Sequence, residues 1–72
     1  MMTFGEAVKA LEEGRKVQRV GWNGKGMYLE LQVPDEHSKM TLPYIWMWTA
    51  CENRVPWLAS QTDILAKDWN IV

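Results

Sequence analysis

The chain has 72 residues, a formal net charge of −1, five tryptophans, one histidine and one cysteine. This length predicts one domain over residues 1–72, and so small a domain buries only about 60% of the surface that its unfolded chain exposes. The near-neutral charge argues against a nucleic-acid polymer as partner, because phosphate binding normally needs a basic surface.

The single histidine and single cysteine exclude an internal disulfide and a structural zinc site. We therefore expect no metal and no cofactor. Cysteine usage of this kind fits a reducing cytoplasm. The sequence shows neither a signal peptide nor the apolar run of about 20 residues that spans a bilayer, so we expect no membrane partner and a cytoplasmic location.

The first predicted element is a helix that begins after Thr3 and ends at Gly14. Thr3 and Glu6 have the spacing of a capping box. Glycine is favoured at the left-handed position that follows a helix. The apolar residues recur at the spacing of one helical face: Phe4, Ala7, Val8 and Leu11.

Strands are predicted for residues 16–20 and 27–33, joined by a turn over residues 21–26, where three glycines and an Asn-Gly pair suit positive φ angles. Residues 34–43 are polar, contain two prolines and are predicted to form a loop. Residues 44–50 form a further predicted strand. Both of its faces are apolar, so it is central or faces a second subunit.

Residues 55–57 are predicted to form an edge strand or an extended exit from the sheet, because their proline cannot donate to a central ladder. Ser60 and Asp63 have the spacing of a second capping box, which opens a short helical turn through Lys67. Residues 69–72 would close the sheet. The predicted fold is α+β, with an N-terminal helix packed on a four- to five-stranded antiparallel sheet and a short C-terminal helical turn.

The glycine-rich turn is the first candidate site. Its glycines would let backbone N–H groups approach a phosphate, Lys25 adds a positive charge, and Trp22 offers a face for stacking. The alternative is a hairpin turn whose tryptophan folds back onto the sheet. The spacing matches no nucleotide-binding motif, so spacing alone favours the plain turn.

The second candidate site opens the C-terminal helical turn. Residues 60–62 would present backbone N–H groups and hydroxyls to an anion or a ribose. Asp63 and Asp68 would accept hydrogen bonds from ribose hydroxyls or an exocyclic amine. The alternative is ordinary helix capping, with Trp57 and Trp69 in the core.

Four rings share the predicted sheet, namely Tyr28, Tyr44, Trp46 and Trp48. Such a patch is either a platform for bases or an oligomer interface, where tryptophan and tyrosine are enriched. With few cations nearby in the sequence, the interface is favoured. Small aromatic-rich domains also recover missing burial by association, so we predict a homo-oligomer.

The sequence offers little for catalysis. Asp63 and Asp68 are five residues apart and would not face each other on a helix, whereas an acid–base pair needs two carboxylates in different environments. His37 has no adjacent serine or cysteine to activate, and Cys51 has only the acidic Glu52 beside it. We therefore predict that the protein is not an enzyme.

Several motifs resemble, in combination and in this order, the Thoeris anti-defence two family of small phage and prophage proteins. The matching segments are residues 2–7 (MTFGEA), 20–27 (VGWNGKGM), 42–45 (LPYI), 55–63 (VPWLASQTD) and 65–69 (LAKDW). The resemblance covers nearly the whole chain as one Thoeris anti-defence two-like domain. The chain departs from the family pattern at Trp48, where lysine is common, and in its short 34–43 loop.

The resemblance implies an anti-defence sponge that acts in the host cytoplasm during infection. Family members are homo-oligomers, dimers joined into tetramers. They bind and sequester glycocyclic ADP-ribose isomers made by TIR-domain immune proteins, and in some members cyclic dinucleotides, without cleaving them. The alternative is a structural or protein-interaction module, in which the tryptophans serve only the core and the oligomer interface.

The resemblance also implies a set of ligand-binding residues. Trp22 and Phe4 would stack on or wall the adenine, and Trp57 would line the pocket across a subunit boundary. The remaining positions would contact the ribose-phosphate part: Asn23, Ala59, Ser60, Gln61 and Asp63. These positions fall in or beside the two segments that the residues alone single out, which favours a ligand site over a plain turn and plain capping.

Overall fold

A five-stranded antiparallel sheet forms one layer of the fold, and helix α1 packs on one of its faces. The computed structural model describes residues 1–72. The sheet has the order β4-β3-β2-β1-β5, and this arrangement confirms the predicted α+β class. The elements are α1 (Phe4–Glu12), β1 (Val17–Arg19), β2 (Tyr28–Gln32), β3 (Tyr44–Trp48), β4 (Arg54–Pro56), α2 (Gln61–Leu65) and β5 (Trp69–Ile71).

Helix α1 begins and ends as the sequence predicts. The Thr3 hydroxyl accepts the Glu6 N–H at 3.3 Å, and the Glu6 carboxylate accepts the Thr3 N–H at 3.0 Å, so the capping box is complete. Gly14 follows the C-cap with φ +85°, a conformation that costs a residue with a Cβ. The residues that α1 buries against the sheet are Ala7, Ala10 and Leu11.

The core lies between α1 and the centre of the sheet. Val17 of β1 stands opposite Leu29 of β2, and all three of Val17, Leu29 and Trp69 are fully buried. Only seven of the 72 residues are buried in the single chain. Since the core is this small, each of its side chains contributes a large share of the stability.

The turn between β1 and β2 differs from its prediction in detail. Only Gly26 within it has a positive φ, +80°, so the expectation that Asn23 and Gly24 adopt positive φ is wrong. Gly24 is needed for close approach instead. A Cβ at this position would lie 3.1 Å from the Cβ of Ala50 and would collide with the sulfur of Met27.

Helix α2 is shorter than predicted and ends at Leu65 instead of Lys67. The Ser60 hydroxyl accepts the Asp63 N–H at 3.1 Å, but the Asp63 carboxylate does not return a bond to Ser60 and turns to other partners. Half of the second capping box therefore forms.

The remaining connections follow the sequence. Residues 34–43 contain neither helix nor strand, as predicted. Strand β4 lies at one edge of the sheet, where Pro56 needs no ladder donor. Neither helix has the length and apolar composition needed to cross a membrane.

Candidate functional site

The three predicted ligand-binding aromatics meet around a fourth ring, Trp69. The ring centroids of Phe4, Trp22 and Trp57 lie 5.5, 5.4 and 6.1 Å from that of Trp69. We call these four residues the aromatic cluster. Trp69 is fully buried, whereas its three neighbours are half-buried and keep part of each ring at the surface.

Backbone hydrogen bonds fix the positions from which these rings project. Met2 and Trp69 exchange a pair of N–H···O bonds of 2.7 and 3.1 Å, which attaches the start of α1 to β5 beside Phe4. The Trp57 N–H donates to the carbonyl of Ile45 at 3.0 Å and prolongs the β3–β4 pairing. The cluster is thus built on the sheet and on the first turn of α1.

Asp63 in α2 holds two of the indoles. Its carboxylate Oδ1 accepts the Trp22 Nε1–H at 3.1 Å, and its backbone carbonyl accepts the Trp69 Nε1–H at 3.0 Å. The two indoles meet edge to face at 81°. Both ring planes are therefore set by one residue, whose own N–H is capped by Ser60.

Arg19, at the end of β1, joins Asp63 to Asp68. Its Nη1 donates to Asp63 Oδ1 at 2.8 Å and its Nε donates to Asp68 Oδ1 at 2.8 Å, while Asp68 Oδ2 accepts the Gly21 N–H at 2.8 Å. The side chains of Arg19, Asp63 and Asp68 are 15%, 14% and 25% exposed. We call these three residues the Arg19 network. Arg19 belongs to no motif that marks it in the sequence, although it directly precedes the Val-Gly-Trp segment.

Mutual stabilisation shifts the titration of all three groups. The Asp68 and Asp63 carboxylates raise the pKa of the Arg19 guanidinium. Burial alone would raise the pKa of Asp63, but hydrogen bonds from Arg19 and Trp22 outweigh burial and lower it. The hydrogen bond from Arg19 and, further, the Gly21 N–H lower the pKa of Asp68.

Asp63 and Asp68 do not share a helix, so the separation expected for a helix does not apply to them. Helix α2 ends at Leu65, so Asp68 lies beyond it and both carboxylates reach the same guanidinium. Because both stay ionised and paired with Arg19, neither is the protonated member that a general acid–base pair requires. Their arrangement suits holding a structure together and not proton transfer.

The other predicted ligand-binding residues flank the aromatic cluster along the chain. Asn23, Ser60 and Gln61 are exposed and Ala59 is half-buried. The three pockets of the single chain lie elsewhere, around residues 34–43 and β4, and the two larger measure about 410 and 470 Å³. The aromatic cluster therefore lines none of the pockets of the single chain.

A second aromatic surface occupies the face of the sheet opposite α1. The ring of Tyr28 lies 5.8 Å from that of Trp46 and 6.3 Å from that of Trp48. Lys16 Nζ lies 4.8 Å from the Tyr28 centroid, and the Arg54 guanidinium lies 5.3 and 5.2 Å from the two tryptophan rings. We call these five residues the outer sheet face. The premise that few cations lie near these rings is wrong.

Acid is expected to weaken the fold through the Arg19 network. The pKa of Asp63 and of Asp68 is lower in the folded chain than in the unfolded one. Their stabilisation is therefore fully present above the unfolded-state pKa of about 3.9 and is lost as the pH falls through the lower folded-state values. Urea unfolding between neutral pH and strong acid should show midpoints that fall below about pH 4.

A double variant separates this effect from the remaining carboxylates. Asp63→Asn with Asp68→Asn should start less stable and should lose less further stability in acid than the natural protein. Asp35→Asn, in the exposed 34–43 loop, is the control and should follow the natural profile. Equal acid slopes in the double variant and the natural protein would contradict the assignment.

Comparison with known proteins identifies the family. The sequence model of the Thoeris anti-defense 2-like domain matches residues 2–72. The chain belongs to the Thoeris anti-defense 2-like family. It is also 38% identical to Thoeris anti-defense 2 of Bacillus phage SP01 over 84 residues, which cover 99% of this chain and 94% of the phage protein.

Membership of the Thoeris anti-defense 2-like family supports a role in phage anti-defence, and it points to no enzymatic family. The aligned stretch of 84 residues is longer than this 72-residue chain, so the relative from phage SP01 carries residues that have no counterpart here.

Proposed function

We propose that this protein is a sponge that binds cyclic nucleotide immune signals and sequesters them without cleavage in the cytoplasm of the infected cell. Glycocyclic ADP-ribose isomers are the first candidates, and cyclic dinucleotides the second. The aromatic cluster carries the proposal, because Phe4, Trp22 and Trp57 present partly exposed rings beside the polar start of α2.

The chemistry of this surface suits an adenine nucleotide. Stacking on an aromatic side chain contributes roughly 1–3 kcal/mol per base. The plane of Trp22 is already held by Asp63, so little side-chain entropy remains to be lost when a base stacks on it. The exposed side chains of Asn23, Ser60 and Gln61 supply donors and acceptors for ribose and phosphate groups.

The surface area of the single chain supports an assembly of two or more copies. Folded monomers of 8.4 kDa expose about 4,600 Å², whereas this chain exposes 5315 Å². The excess of roughly 700 Å² is close to the ~800 Å² that each partner buries in a standard interface. We therefore propose a homo-oligomer, a dimer or a tetramer.

The outer sheet face is the surface that we assign to this association. Its rings are the residue types that interfaces favour, and Glu30 adds a half-buried carboxylate directly opposite Trp46 in the sheet. Arg54 lies over Trp46 and Trp48, so these ring faces are less free for bases. A carboxylate and two cations on one face also allow charge pairing between two copies.

Removing one ring from this face is expected to weaken the oligomer. Trp48→Ser deletes a half-buried ring that stacks on Tyr28 and supports Arg54, without touching the buried core. Sedimentation velocity should show a shift from oligomer to monomer. Leu65→Ser, an exposed apolar residue of α2, is the control and should leave the assembly unchanged. An intact Trp48→Ser oligomer would move the interface to another surface.

The function is tested by ligand retention. Purified protein is mixed with a TIR-produced cyclic ADP-ribose isomer, separated from free ligand by filtration and heat-denatured, and the released molecule is analysed. Intact released ligand would establish a sponge, and altered ligand would indicate an enzyme. A ligand at about a thousand times its Kd should also stabilise the protein by about 4 kcal/mol, visible as a higher melting temperature.

Failure to retain either ligand class would favour the alternative, a structural or protein-interaction module. Under this alternative, neither a cyclic ADP-ribose isomer nor a cyclic dinucleotide should change the melting temperature. Substitution of the cluster aromatics would then reduce stability or assembly alone.

A further inference from the structure

We propose that Arg19 is a positioning residue for ligand binding, which acts through Asp63 on the side chain of Trp22 and through Asp68 on its backbone. The proposal rests on the proposed function, in which Trp22 stacks on the ligand. Arg19 itself points its guanidinium at the two carboxylates and is 15% exposed, so it needs no contact with the ligand.

Helix α2 needs contacts with the rest of the chain to hold it in place. This helix has five residues and none of them is buried, so neither its length nor its packing explains a fixed position. Arg19 lies on β1, an interior strand between β2 and β5, and its Nη1 reaches Asp63 in α2 at 2.8 Å. The ion pair ties the helix to the sheet across a separation of 44 residues.

The ring of Trp22 is held by the same carboxylate that pairs with Arg19. Its Nε1–H donates to the same Oδ1 of Asp63 that accepts from Arg19. If Asp63 shifts, this hydrogen bond lengthens and the edge-to-face contact with Trp69 is left to hold the ring without it. The orientation of the Trp22 ring that would stack on a ligand therefore depends on Arg19, because Arg19 holds Asp63.

The backbone before Trp22 is held by Asp68. Asp68 accepts the Gly21 N–H while also accepting Arg19, which fixes the loop at the residue next to Trp22. A Cβ on Gly21 would lie 2.9 Å from Asp68 Oδ2 and 3.1 Å from Arg19 Nη2. A side chain at position 21 would therefore displace the ends of Asp68 and Arg19 from their present positions.

Arginine suits this role in a way that lysine does not. A guanidinium presents separate N–H groups in a planar fork and can bind two carboxylates at once in a set geometry. A lysine ammonium is a single charged point at the end of a flexible chain. Arg19→Lys therefore keeps the positive charge but loses the planar group that binds both carboxylates at once. Arg15→Lys is the matched control, because Arg15 is exposed and forms no ion pair.

The test has one readout without ligand and one with it. In ¹⁵N-labelled protein without ligand, the Trp22 indole N–H should exchange with solvent roughly tenfold faster in Arg19→Lys than in the natural protein or in Arg15→Lys, as expected for a weakened charge-assisted hydrogen bond. With a cyclic ADP-ribose isomer, the Kd should rise by a similar factor at a temperature where melting curves show the variant folded.

A second substitution distinguishes positioning from a general loss of stability. Trp22→Phe keeps a ring and removes the indole N–H, so Arg19→Lys should reduce affinity less in this background than in the natural one. Additive losses would overturn the proposed route through Asp63. If Arg19→Lys does not fold, Asp68→Asn weakens the pairing of Arg19 with the loop before Trp22 and tests that route of the proposal by the same two measurements.

The outcomes separate this proposal from the proposed function. An unchanged indole exchange rate in Arg19→Lys would overturn the positioning role whether or not the natural protein binds ligand. Faster exchange with unchanged affinity would show that Arg19 orders Trp22 without serving binding, which also overturns it. A natural protein that retains no ligand would reject the sponge, together with the part of this inference that concerns affinity.

Discussion

Replacing Trp22 by alanine is expected to abolish ligand binding and leave the oligomer intact. The substitution removes a stacking surface worth roughly 1–3 kcal/mol and also removes the indole donor that Asp63 accepts. Since Trp22 is half-buried at the rim of the aromatic cluster, Trp69 and its other neighbours should keep the fold. Titration calorimetry and sedimentation velocity measure the two outcomes on the same sample.

Val20→Ala is the control for this variant, because Val20 lies in the same segment, is 60% exposed and belongs to no site. It should bind ligand like the natural protein. Unchanged affinity in Trp22→Ala would remove Trp22 from the site. A monomeric Trp22→Ala variant would place this ring in the subunit interface instead.

Replacing Trp69 by alanine is expected to cost about 3–5 kcal/mol of unfolding free energy, the range found when a large aromatic is deleted from a core. Trp69 is fully buried, contacts three other aromatic rings and donates its indole N–H to the Asp63 carbonyl. A domain of this length has a total stability of about 4–11 kcal/mol, so the loss amounts to between about a quarter and all of it. Urea unfolding followed by circular dichroism measures the loss.

Ile71→Ala provides the comparison on the same strand. Ile71 is 39% exposed at the end of β5, so its truncation leaves a smaller void and should cost much less than Trp69→Ala. Similar losses for the two variants would contradict the central place of Trp69 in the core. A loss below about 1 kcal/mol for Trp69→Ala would contradict it as well.

Local features of the fold could be predicted from the sequence because they depend on residues close together in the chain. The capping box of Thr3 and Glu6 spans one helical turn, and Gly14 ends the helix for reasons of its own backbone. The alternation of residues 27–33 likewise predicts which side of β2 is buried. These signals require no knowledge of where the rest of the chain lies.

The Arg19 network could not be predicted in the same way. Its ion pairs join residues that are 44 and 49 positions apart, and no periodicity in the sequence indicates which side chains meet across such distances. The spacing of Asp63 and Asp68 was interpreted as that of one helix, whereas the chain leaves the helix between them. Contacts between distant parts of the chain determine that both carboxylates meet Arg19.

The candidate site falls between these two cases. Phe4, Trp22, Trp57 and Asp63 were selected in part by family resemblance, and the structure places them together. The sequence indicates Trp69 only as a core residue, because its central position among the rings follows from the pairing of β5 with β1. The ligand-binding role of these residues stays a prediction.

The close packing of indoles also has an optical consequence. Trp22 and Trp57 both meet Trp69 nearly at right angles, with centroids 5.4 and 6.1 Å away. Excited states of chromophores this close couple to one another, so we expect the cluster to contribute a couplet to the far-ultraviolet circular dichroism. A ring movement of the kind expected in Arg19→Lys changes that couplet while helices and strands stay as they are. The protein therefore carries a label-free spectroscopic reporter of the geometry on which its proposed site depends.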